Sequence, residues 1–126
     1  MRNNILRLAV AATGALLLFI AFGAWVDPVR VAGSLGVAGS GSLGLATLRA
    51  DIGAFFATPG ILALLAAFRR SPGFLTAPLM LVCLALAGRF WALAVTPFET
   101  AMVPPMVAEA VMVAVFAAGR FMRAAS

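Results

Sequence analysis

The chain has 126 residues, 64% of them hydrophobic and 10% charged, with a formal net charge of +5. An ordinary soluble domain is nearer half apolar and a quarter charged. This composition, with a mean hydropathy of +1.12, excludes a water-soluble globule, a disordered tail and a nucleic-acid-binding module.

Crossing ~30 Å of hydrocarbon takes about 20 helical residues. Four such spans with their connections account for the length, so the expectation is one membrane domain over residues 1–126, all-α, an antiparallel four-helix bundle. The first span runs from about Ile5 to Val26 and is closed by Asp27-Pro28, because proline disfavours helix in the residue before it. A secretory signal peptide is the rival reading, with Ala21-Phe22-Gly23 as its cleavage site. The apolar stretch is longer than the roughly 7–15 residues of a signal-peptide core, which favours a retained span.

Asp27 to Gly44 forms the longest connection, and its Gly/Ser-rich centre, Gly33 to Ser42, is expected to be irregular. Those glycines lack the Gly-Lys-Ser/Thr ending of a phosphate-binding loop. The second span runs from about Leu45 to Phe68 and stops at Arg69-Arg70-Ser71-Pro72-Gly73. The third runs from about Phe74 to Val95 and stops at Thr96-Pro97; the fourth starts at Pro104-Pro105, where proline suits a first helical turn, and reaches about Met122.

The absences restrict the chemistry. There is no His, a single Cys (Cys83), and all nine basic residues are Arg. One chain of this kind assembles no ordinary zinc or non-haem iron site and no Ser–His or Cys–His catalytic unit. No metal, no cofactor and no catalytic residue is therefore expected. Cys83 is read as a small buried apolar residue.

Arginine placement gives the orientation. Arg2, Arg7, Arg69, Arg70, Arg120 and Arg123 fall on one side of a four-span arrangement, and the opposite connections hold only Arg30. The positive-inside rule puts both termini and the connection between the second and third spans in the cytoplasm, with Trp25 and Trp91 toward the outer interface.

Four charges fall inside the spans: Arg49 and Asp51 early in the second, Arg89 late in the third and Glu109 early in the fourth. Counted from the outer ends they lie about four to six residues in, roughly 6–9 Å at the helical rise. A charge at membrane depth is tolerated mainly where it faces other helices or a cavity and finds a partner. The economical pairing is Arg89 with Glu109, leaving Arg49 and Asp51 to complete a net-neutral cluster. Such a cluster is either a structural clamp or the polar end of a pocket. Thr58-Pro59-Gly60 is expected to kink the second span. Ala110, Ala114 and Ala118 offer a small-residue stripe for packing within the molecule, and Met106 and Met112 flank Glu109.

The run Arg49-Ala50-Asp51-Ile52-Gly53-Ala54-Phe55-Phe56, the later Gly60-Ile61-Leu62, the Phe68-Arg69-Arg70 stop, Gly88-Arg89 and Glu109 resemble a family of small bacterial membrane proteins known as domain of unknown function 4345. The similarity covers most of the chain from about Thr47 to Arg120 and is patchier in the first span. It implies a four-helix integral membrane fold in the bacterial inner membrane and the same intramembrane charges, and no activity. The long Gly/Ser connection and the Thr58-Pro59 break depart from the family pattern.

Two functions follow as expectations: an accessory subunit or assembly partner of a larger inner-membrane complex, respiratory or photosynthetic for example, or a binder of a lipid-like or small amphipathic molecule through the Arg49, Asp51, Arg89 and Glu109 cluster. As a transporter, four spans would call for a homo-oligomer. Apart from these, the bilayer is the expected partner, and nucleic acid is not. The topology has a direct test. Alkaline phosphatase fused at Ser126 is expected to be inactive, and fused within Ser34 to Ser42 to be active; an active Ser126 fusion would mean an odd number of spans.

Overall fold

The computed structural model describes residues 3–122, so Arg2 and Arg123, counted above for orientation, lie outside the described residues. Every regular element among the described residues is helical. Four continuous helical stretches are long and apolar enough to cross a membrane: Asn4–Val26, Gly41–Phe68, Pro72–Val95 and Thr100–Phe121.

Helix α1 (Asn4–Val26) opens on Asn3, whose side chain accepts from the Ile5 and Leu6 N–H groups, and closes where Asp27 N–H donates to the Gly23 carbonyl. The connection after it differs from the expected irregular segment. Asp27 also caps a second helix, α2 (Pro28–Ser34), with its Oδ1 accepting from Arg30 N–H and Pro28 in the first turn. The dipeptide that stops one helix therefore starts the next, because proline that cannot continue a helix is well suited to begin one. Gly36, at φ +74°, ends α2 in the left-handed conformation, with Val37 N–H donating back to the Ala32 carbonyl. Only Asp27 and residues 35–40 lack helical structure in this connection.

Helix α3 (Gly41–Thr47) continues through a π turn at Leu48–Ile52 into α4 (Gly53–Phe68). The long second stretch thus begins four residues before the expected Leu45. It departs from α geometry at Leu48–Ile52, and α4 then runs on through Pro59, the position of the expected kink, which is buried. Arg70, at φ +52°, ends α4 in the left-handed region and Ser71 N–H donates to the Ala66 carbonyl. A 3₁₀ turn at Pro72–Leu75 leads into α5 (Thr76–Val95), and another at Thr100–Met102 leads into α6 (Val103–Phe121).

The closest packing joins α1 and α4. Buried α1 positions are Val10, Gly14, Leu17, Ala21 and Ala24; those of α4 include Gly53, Ala57, Gly60, Ala63 and Ala67. Both sets recur at three and four residues, one face of each helix, and both are rich in small side chains, which lets backbones approach. A Cβ on Gly14 would stand 2.9 Å from the Gly60 carbonyl oxygen, and a Cβ on Gly60 would stand 2.9 Å from that of Gly14. Further along, a Cβ on Gly53 would collide with the Trp25 indole. The small-residue interface is therefore between α1 and α4. On α6, Ala110 and Ala114 are exposed, contrary to the expected internal stripe.

The core sits at one end of the molecule. Val10 and Leu17, Ala63, Ala66 and Ala67, Leu75 and Val82, and Phe116 form one buried cluster. These are the early turns of α1 and α5 and the late turns of α4 and α6. Two arginines tie helix ends there: Arg7 Nε donates to the Ala67 carbonyl at 2.6 Å, and Arg120 Nε to Thr76 Oγ1 at 2.9 Å. Cys83, expected to be buried, is exposed on α5.

The glycine crossing sets a stability test. Gly14→Ala and Gly60→Ala are each expected to lower unfolding stability in detergent by about 1–3 kcal/mol, the usual cost of overpacking. A Cβ at Gly88 meets nothing within 4 Å, so Gly88→Ala is expected to be neutral or to raise stability by up to about 1 kcal/mol through helix propensity. Equal midpoints for all three variants would remove the close crossing as a determinant of stability.

Candidate functional site

Glu109 is positioned by the way α6 begins. Pro104 and Pro105 occupy its first turns, and the inward face then carries Glu109, Phe116 and Gly119. Across from it on α5, Arg89 Nε donates to both Glu109 carboxylate oxygens, at 2.8 Å each. The Glu109 side chain is 11% exposed and that of Arg89 36% exposed. The carboxylate is therefore held inside while the guanidinium reaches toward open space.

That space is a cleft of about 1380 Å³ at the end of the molecule opposite the core. It is walled by the later half of α1 from Thr13 to Val26, by Ile52, Phe55, Phe56 and Pro59, by α5 from Leu81 to Ala92 and by α6 from Pro104 to Met112. The walls are largely apolar. The polar lining residues are Asp27, Arg30 and Ser34 from α2 and its cap, the Arg89–Glu109 pair, and Thr13, whose hydroxyl donates to the Ala9 carbonyl. Ligand pockets commonly occupy about 300–1,000 Å³; this one is larger because its sides are open. Exposed Leu16, Phe19 and Phe22 of α1 and Val111 of α6 belong both to its lining and to the molecular surface.

The structure divides the four expected site residues. Arg89 and Glu109 meet and line the cleft. Arg49 and Asp51 do not join them. Arg49 Nε donates instead to the Trp25 carbonyl at 3.1 Å, in the last turn of α1, where a cation suits the unpaired carbonyls. Asp51 is exposed and borders a second, smaller groove between α4 and α5 with Thr58, Pro59 and Pro78. The single net-neutral cluster is thus replaced by three separate placements. The π turn gives the physical reason: the wider turn at Leu48–Ile52 rotates the residues it contains away from simple α spacing. Depth changes as well. Since the helix starts at Gly41, roughly 20 residues counted back from Phe68 end at Arg49, so both charges lie near the N-terminal end of a stretch of that length.

Met112 lines the cleft and Met106 stays outside it, while Pro59 lines both the cleft and the groove. The polar residues that sequence reasoning missed are Asp27 and Arg30. Their signal was present as an acidic cap, a proline and a cation three residues after the cap, a helix start concealed in what reads as a loop. Comparison with protein-family models, with curated proteins and with solved structures finds no match to the chain.

Truncating either partner of the ion pair is expected to strand the other. Breaking a fully buried pair costs about 3–5 kcal/mol; Arg89 is 36% exposed, so a loss of about 1–3 kcal/mol is expected for Arg89→Ala or Glu109→Ala. Folded yield and unfolding midpoint in mild detergent measure it. The double variant exchanging Arg and Glu between the two positions should recover part of the loss, and the absence of any recovery would argue that the two side chains do not act as a pair.

Proposed function

We propose that this is a non-catalytic, multi-pass protein of the bacterial inner membrane, an antiparallel four-helix bundle with both termini cytoplasmic, which binds a lipid-like or small amphipathic molecule in its cleft. The observation that carries this reading is the joining of long apolar walls, in one cleft, to a few charged residues that include Arg89 and Glu109. An amphiphile has that same division. The described arginines at the core end, Arg7, Arg69, Arg70 and Arg120, support a cytoplasmic placement of that end by the positive-inside rule. The cleft then opens in the outer half of the bilayer. The Arg49 to Phe56 run, Gly88-Arg89 and Glu109 support membership of the domain of unknown function 4345 family, which carries no assigned activity with it.

An accessory subunit or assembly partner of a larger membrane complex is the second reading. In its favour, only 11% of the most apolar window is buried in each of the stretches Pro72–Val95 and Thr100–Phe121, which leaves broad helix faces for other chains. Lipid covers such faces equally well. A subunit interface has no need of an open-sided cleft lined by an ion pair, which is why binding is preferred.

Purification in mild detergent followed by native mass spectrometry separates the two. The expected result is a chain free of larger partners that retains about one amphiphile, lost when Ala85→Trp, at a partly buried position of the lining outside the core cluster, fills the cleft. Stoichiometric co-purification with a larger complex, and no retained amphiphile, would replace binding with the subunit reading.

A further inference from the structure

We propose that the molecule held in the cleft has an anionic head group, a carboxylate or a phosphate, and that Arg30 selects it. This rests on the amphiphile-binding reading and names the chemistry of its ligand. The charged residues that line the cleft are two arginines and two carboxylates, Arg30, Arg89, Asp27 and Glu109. Their formal charges cancel, but their hydrogen-bonding capacities are not equally available. Asp27 caps α2, its Oδ1 accepting from the Arg30 backbone N–H at 3.3 Å. Both Glu109 oxygens accept from Arg89 Nε, and only 11% of that side chain is exposed. An ammonium head entering the cleft would compete with the protein for the Glu109 oxygens and for Asp27 Oδ1, and would find Asp27 Oδ2 as its one uncommitted carboxylate oxygen.

The donors are in the opposite condition. An arginine presents five N–H donors in a planar fork. Arg89 directs Nε at Glu109 and keeps 36% of its side chain exposed. Arg30 is exposed on α2, a helix seated through buried Pro28 and Ala32, and its side chain belongs to the cleft lining. A carboxylate or phosphate arriving there gains charge-assisted hydrogen bonds without displacing one already made. Its tail has a defined course. Along α1 the lining extends from Val26 to Thr13, about 20 Å at the helical rise, and ends against the core at Leu17 and Val82. Leu16 and Phe19, exposed along the edge of the cleft, offer a sideways route in from the bilayer.

The test titrates the purified chain in neutral-detergent micelles with oleate, oleyl phosphate, oleyl alcohol and oleylamine, four probes with one tail and different heads, by calorimetry. Oleate and oleyl phosphate are expected to bind about tenfold or more tighter than oleyl alcohol, as charge-assisted bonds require, with oleylamine weakest. Arg30→Gln should bring oleate to the level of oleyl alcohol and leave the alcohol unchanged, while Arg30→Lys should keep most of the preference. Inorganic phosphate alone should not displace oleate; displacement would make this a site for free anions and overturn the proposal. Equal affinity for all heads, or a preference for oleylamine, would overturn the anionic head group and leave amphiphile binding standing. A preference unchanged in Arg30→Gln would remove Arg30 as its source. Failure of all four probes to bind would overturn amphiphile binding itself.

Discussion

Gly14 and Gly60 bring the backbones of α1 and α4 so close that a single methyl on either would press on the carbonyl oxygen of the other. In hydrocarbon, helices gain little from hiding apolar side chains from lipid that is equally apolar, so association depends on close packing and on polar contacts. The crossing supplies the first, and the polar contacts follow from it. With the two helices paired along their length, Arg7 reaches the Ala67 carbonyl at one end and Arg49 reaches the Trp25 carbonyl at the other. Each arginine satisfies a backbone acceptor in the last turn of the facing helix, where no intrahelical donor remains. Trp25 is fixed in turn by the flat surface that Gly53 leaves for it.

The second pair, α5 and α6, is held by the Arg89–Glu109 ion pair toward one end and by Arg120 on Thr76 toward the other. The two pairs meet in the core, where Leu75, Val82 and Phe116 pack with Val10, Leu17 and Ala66. Beyond Val82, α5 lines the gap with Ala85, Gly88, Arg89 and Ala92, and α6 with its two prolines, Ala108, Glu109, Val111 and Met112. The two long charged side chains turn to each other, and Ala85, Gly88, Ala92 and Ala108 are too short to cross to α1 and α4. The cleft opens where these short residues take over from Leu75, Val82 and Phe116.

The ion pair belongs to both arrangements. It keeps α5 and α6 in register, as a clamp would, and it borders open space, as a pocket requires. Its asymmetry separates the two roles: a nearly buried Glu109 anchors the pair, and a more exposed Arg89 presents its charge to the cleft. Helix α2 adds Arg30 to the same cleft, brought there because Asp27 caps α2 while terminating α1. The polar lining of the cleft therefore draws on one element that lies outside the four long helices, besides α5 and α6.

The four long helices, their order and their approximate ends were legible in the sequence because hydropathy, proline and paired arginines act locally along the chain. The pairing of Arg89 with Glu109 was legible for a related reason: each is costly alone, and the two fall at similar distances from helix ends. What lay beyond the sequence were relations between helices and the local winding that sets them. Arg49 and Asp51 sit at the expected positions in the chain, yet a π turn aims one at α1 and leaves the other at a separate groove. The small residues of α6 matched a packing pattern as well as those of α1 and α4 did, yet those of α1 and α4 meet while Ala110 and Ala114 stay exposed. Periodicity shows that a face can pack and does not choose its partner. The sequence by itself determined a four-helix chain with a costly pair of opposite charges. Tertiary structure alone decided that the helices join at one end and part at the other, since that depends on which side chains are long enough to meet.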